Sequence, residues 1–164
     1  MMLKSLTILC FLALSAFCSI GQKTQILDSL LLPLYNIGNS KFLSEQPTAK
    51  SIISYGPKML SSLVSYFADT TLTNIKSDCQ DSYLKKGEVA IIIADRIEMM
   101  PYAQLTGFQN CLMEFCKDNP NWIEYYFPEV RKMGMTVFTE KYQKWLTDHH
   151  RILKANWKKK IKSL

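Results

Sequence analysis

The chain has 164 residues and a formal net charge of +6, with two histidines, five cysteines and six glycines. That length suits one domain. The positive excess sits almost wholly beyond His150, so a nucleic-acid-binding body is not indicated, and the scarcity of histidine and glycine leaves little material for metal cages or phosphate-cradling loops.

The first residues read as a secretory leader. Lys4 supplies the positive start, Leu6–Phe17 the apolar run, and Ser19 and Gly21 the small residues of a cleavage site. Cleavage after Gly21 gives a signal peptide over 1–21, a mature chain from Gln22, and a secreted or periplasmic location. The alternative is a lipoprotein anchored at Cys18, for which Phe17 is an unusually large neighbour. No later segment is long and apolar enough to span a bilayer.

From Gln22 to Ile37 the apolar residues recur at helical spacing, with Pro33 dividing the run. Gly38-Asn39-Ser40 is a turn, and Pro47 opens a helix carrying Ile52 and Ile53. Pro57–Phe67 places Met59, Leu60, Leu63, Val64 and Phe67 on one face. Ala68–Tyr83 is polar and turn-rich and reads as a long loop pinned by Cys79.

Gly87–Cys116 is the stretch around which the rest is organised, and its unbroken segment Gly87–Met100 reads as the central helix. Val89–Ala94 is continuously apolar, and Glu88, Asp95 and Glu98 form one narrow polar stripe. A helix with so little polar surface is buried over most of its circumference. Pro101 ends it. After Thr106-Gly107 a helix runs from Phe108 to Cys116. Asn119-Pro120-Asn121 breaks the chain before a short helix over Trp122–Phe127, Pro128 opens the next turn, and Gly134 precedes the last element. There Phe138, Tyr142, Trp145, Leu146, His149, Ile152, Leu153, Trp157 and Ile161 mark one long amphipathic helix, Thr136–Lys162. The expectation is an all-α fold: a single compact helical domain over 22–164 around a buried central helix at about 87–100.

Cleavage leaves Cys79, Cys111 and Cys116. In an oxidising compartment these make one disulfide and one thiol. Cys111 and Cys116, five apart on a helix, sit roughly 8 Å from each other, too far to bond. Cys79 therefore pairs with one of them. The helical wheel does not choose between the two; Cys111 is taken first.

No catalytic or metal-binding motif is present. His149 and His150 are adjacent, so they point about 100° apart on a helix and do not grip one metal as an i, i+4 pair would. Glu88, Asp95 and Glu98 form a possible acidic face, with the lysine-rich last helix as a candidate partner. Trp122, Tyr125 and Tyr126 make an aromatic cluster that suits either the core or a carbohydrate or peptide groove. The leftover cysteine matters chemically only if exposed in electropositive surroundings.

GEVAIIIADRIEMMPY followed by GFQNC, over Gly87–Cys111, resembles segments of small exported bacterial proteins without an assigned function. That resemblance brings no site residues and no cofactor with it.

Two classes of function remain. One is a non-enzymatic module that binds a protein or envelope partner. The other is an enzyme using the acidic face or a free cysteine. The basic end of the last helix, with Arg151, Lys154, Trp157, Lys158, Lys159, Lys160 and Lys162, offers a third role: weak contact with an anionic surface.

Overall fold

A computed structural model describes residues 25–109 and 119–162, with side chains as far as Lys154 in the last helix. The fold is mostly helical. In chain order it runs α1 (25–31), α2 (Pro47–Ser54), α3 (Leu60–Val64), β1 (Leu72–Lys76), β2 (Tyr83–Lys85), α4 (Lys86–Ile97), α5 (Tyr102–Thr106), α6 (Phe127–Met133) and α7 (Met135–Lys162), with 3-10 turns between several of them.

Prolines set many of the boundaries. Pro33 converts the end of α1 into a 3-10 turn over Leu32–Asn36, and Pro47 stands at the first position of α2. Pro57 falls in the 3-10 turn that leads into α3. Pro128 lies at the start of α6, and Gly134, at φ 95°, separates α6 from α7.

The mainly helical expectation holds, but the stretch expected to be a polar loop needs correction. Residues 72–85 form an antiparallel hairpin, with Leu72 opposite Lys85 and Lys76 opposite Tyr83. Thr73 and Ile75 point inward while Leu72, Asn74 and Lys76 point out. The Lys76 N–H donates to the Gly38 carbonyl at 2.8 Å, which ties the hairpin to the turn after α1.

α4 enters directly from β2. Every side chain from Val89 to Ala94 is buried, and α2 and α3 pack against the helix. Gly87 makes this entry possible. A Cβ there would collide with the Phe67 carbonyl oxygen and lie 2.9 Å from the Asp69 carbonyl oxygen. α4 ends at Ile97, earlier than Pro101 alone dictates. Glu98 is already extended (φ −149°, ψ 116°), and Asp95 Oδ1 accepts the Met100 N–H at 2.8 Å, which holds the reversal.

α7 lies against α3, α5 and α6 through its first half. Phe138, Tyr142 and Leu146 are buried, and Tyr142 packs on Phe67 with ring centroids 5.1 Å apart. Val137, which belongs to the apolar set by composition, is turned outward and 44% exposed.

Candidate functional site

The three acids of the α4 stripe end in three different environments. Glu88 is fully buried at the first turn. Its Oε2 accepts the Lys85 N–H at 2.8 Å, as an acid at a helix start does. Arg131 of α6 reaches it through two nitrogens, Nε to Oε1 and Nη2 to Oε2, the latter at 2.8 Å. This fork-on-carboxylate geometry is the strong form of the ion pair, and it holds the guanidinium pKa above its ordinary value.

Asp95 is nearly buried. It accepts the Met100 N–H and the Tyr102 hydroxyl, which lies 3.0 and 2.9 Å from the two carboxylate oxygens. Burial outweighs these bonds and the nearby Arg96 charge, so the Asp95 pKa is raised. Tyr102 is raised too, by burial and by the Asp95 charge.

Glu98 faces α7. His149 Nε2 lies 3.0 Å from its Oε1 and His150 Nε2 lies 2.9 Å from its Oε2. The last helix does supply the partner of this acid, through histidines rather than lysines. His149 also stacks on Trp145, with ring centroids 4.9 Å apart at 16°. Below this cluster the Tyr142 hydroxyl is buried with no hydrogen-bond partner among the described residues. Its pKa is pushed up by burial and by the negative charges of Glu98 and Asp95.

A fourth acid has the most unusual surroundings. Glu124, 0% exposed, accepts only neutral donors among the described residues: Ser40 Oγ at 2.9 Å, Ser77 Oγ at 2.6 Å and Asn119 Nδ2 at 2.8 Å. Gln80 Nε2 donates to its main-chain carbonyl at 2.6 Å, while Gln80 Oε1 accepts from Arg131 Nη1 at 3.2 Å. The polar knot thus joins the turn after α1, the hairpin loop, the Trp122 turn and α6. Its signal in the sequence is a single acid inside the apolar run Trp122–Phe127.

Cys79 lies at the edge of this knot, and its sulfur receives Asn119 Nδ2 at 3.4 Å. Cys111 and Cys116 lie outside the described residues, so the choice between them belongs to the proposals below.

The aromatic cluster divides. Tyr126 is buried and stacks on Tyr102 at 4.9 Å, and Tyr125 is partly buried against it. Trp122 is 58% exposed. It lines a cleft of about 450 Å³ together with Asp95, Arg96, Met99, Tyr102 and Pro120. Arg96 Nη1 donates to the Pro120 carbonyl at 3.2 Å across this cleft.

At the far end of the molecule Ile152 and Leu153 are 54% and 51% exposed. Arg151 and Lys154 flank them, both exposed, with Arg151 paired to Asp148 at 3.1 Å. The α7 backbone continues to Lys162, but the side chains of Trp157, Lys158, Lys159, Lys160 and Lys162 lie outside the description.

Among the described residues no group of three or more His, Cys, Asp or Glu side chains is arranged to hold a metal ion, and no helix is long and apolar enough to cross a membrane. No family model, no curated protein and no solved structure matches the chain.

Proposed function

We propose that the chain is an exported helical module that engages a protein or envelope partner and carries out no chemistry with the α4 acids. Export rests on the leader over 1–21, with the mature protein secreted or periplasmic. The finer architecture belongs to the same reading: one domain built around α4, closed by the amphipathic α7, and pinned by a disulfide from Cys79 to Cys111 or Cys116. The single observation that carries it is the fate of the acids. Glu88, Asp95 and Glu98 are each engaged by a different neighbour, so they present no shared carboxylate centre to a substrate.

A photo-crosslinking amino acid at position 153, introduced into the protein in its native envelope, tests this. A discrete, reproducible adduct is expected. A substrate turnover lost on Asp95→Asn or Glu98→Gln would replace this reading with an enzymatic one.

A second reading has its own observation. Ile152 and Leu153 stay exposed beside Arg151 and Lys154 on a helix that continues into a lysine-rich end. Such a helix suits shallow contact with anionic lipid headgroups. Salt-sensitive sedimentation with phosphatidylglycerol vesicles, lost on removal of 152–164, tests it.

A further inference from the structure

The cleft beside Trp122 has a composition that neither α7 nor the acid pairs explain. Its apolar lining is the exposed indole of Trp122, the Met99 side chain, which is 74% exposed, and the Pro120 ring. Its polar lining is electrically balanced, with Arg96 giving one positive charge and Asp95 one negative.

Each polar group has a protein partner. Arg96 donates to the Pro120 carbonyl through Nη1, which leaves Nε and Nη2 as donors. Asp95 is held by the Met100 N–H and the Tyr102 hydroxyl, and the phenol oxygen itself keeps acceptor capacity. A volume of about 450 Å³ falls in the range of small-ligand clefts, where apolar walls and a few placed polar groups are the rule.

We propose that this cleft binds a neutral saccharide ring, stacked on Trp122 and hydrogen-bonded by Arg96 and the Asp95–Tyr102 pair. The charge balance selects the ligand class. An anion meeting Arg96 also faces the Asp95 carboxylate, and a cation meeting Asp95 faces the guanidinium. A hydroxyl donates and accepts at once, so a polyol satisfies both sides without a like-charge contact. A pyranose also has an apolar C–H face, which covers the indole and removes its surface from water. A carboxyl kept from full solvation suits this role, because water competes weakly for its lone pairs.

This inference is independent of the α7 readings and of any protein partner. The test is calorimetric titration of the purified chain with a fixed panel of neutral oligosaccharides of the gluco-, galacto-, manno- and N-acetylglucosamine type. Benzoate and tyramine serve as anionic and cationic ring controls. Saturable binding of at least one oligosaccharide is expected, weakened at least tenfold by Trp122→Ala and by Arg96→Met, and unchanged by Tyr83→Ala, which alters an exposed aromatic on the hairpin instead. Melting curves check that each variant is folded; Arg96→Met carries the test if Trp122→Ala is not. No binding across the panel overturns the proposal. So does binding that survives both variants, or a clear preference for benzoate or tyramine.

Discussion

Arg131 on α6 and Glu88 at the first turn of α4 grip one another through two parallel hydrogen bonds, with the carboxylate fully buried. The pair fixes the angle between two helices that are far apart in sequence. It also feeds the hairpin loop, since Arg131 Nη1 donates to Gln80 Oε1 and to Ser82 Oγ at 3.1 Å.

Removing one partner of such a pair leaves an uncompensated charge. Arg131→Ala is expected to cost about 3–5 kcal/mol, the range for breaking a buried ion pair. Glu88→Gln is expected to cost less, because the amide oxygen still accepts. Denaturant unfolding of both variants checks the order; equal losses would mean that packing rather than charge dominates.

Gly87→Ala is also expected to destabilise the fold. The added methyl group meets main-chain atoms of Phe67 and Asp69, not the mobile end of a side chain, so nothing nearby yields cheaply. Overpacking costs are typically about 1–3 kcal/mol, and the rigid neighbours place this site at the upper end. A melting temperature within a degree or two of the parent protein would contradict the close approach of α4 to the chain after α3.

Asp95 predicts a pH effect with a definite sign. Its folded pKa is raised, chiefly by burial. Its contribution is therefore full below the unfolded value of about 3.9 and declines as the pH rises through the folded value. Above the folded value the ionised, desolvated carboxylate is a burden that an amide does not carry. Asp95→Asn is expected to gain stability relative to the parent at pH 7, and the advantage should shrink as the pH is lowered toward 4. Comparing unfolding free energies of the two proteins across that window isolates Asp95. An advantage that instead grows on acidification would reverse the assignment.

Deletion of 152–164 is expected to leave the fold intact. Among the described residues the last buried anchor of α7 is Leu146, and His149 and His150 still meet Glu98. The cost should stay within about 1 kcal/mol, as for surface changes away from special features. Global unfolding of the truncated chain, seen by circular dichroism, would show that the tail belongs to the core.

Much of the helical order was legible because it follows from local stereochemistry. Pro33, Pro47 and Gly134 act through their own backbones, so their effects do not wait on tertiary contacts. The hairpin was not legible because its strands are short and Leu72, an apolar residue, faces out; this spoils the alternation that marks a half-buried strand. The acid stripe misled for a geometric reason. A helical wheel projects Glu88 and Glu98 onto one side but discards the axis, along which ten residues span roughly 15 Å. Over that distance the neighbours change from α6 to α7, and the acids acquire unrelated partners. Trp122 and Tyr126 share a composition class, and only packing decides which one stays outside.

The Glu124 knot bears on the order of assembly. Its donors come from Ser40, Ser77 and Asn119, two of them distant in sequence, and none carries a charge. With any one absent, the carboxylate does better hydrated than enclosed. Closure is therefore all-or-none: the turn after α1 and the hairpin loop must both have arrived before Glu124 loses its water. Contacts of such long sequence separation form slowly, so this corner should seal late. A nascent chain released before Asn119 emerges holds two of the three donors and no acid to bind, and neither piece of a chain divided between Ser77 and Asn119 is expected to hold native structure until the other joins it.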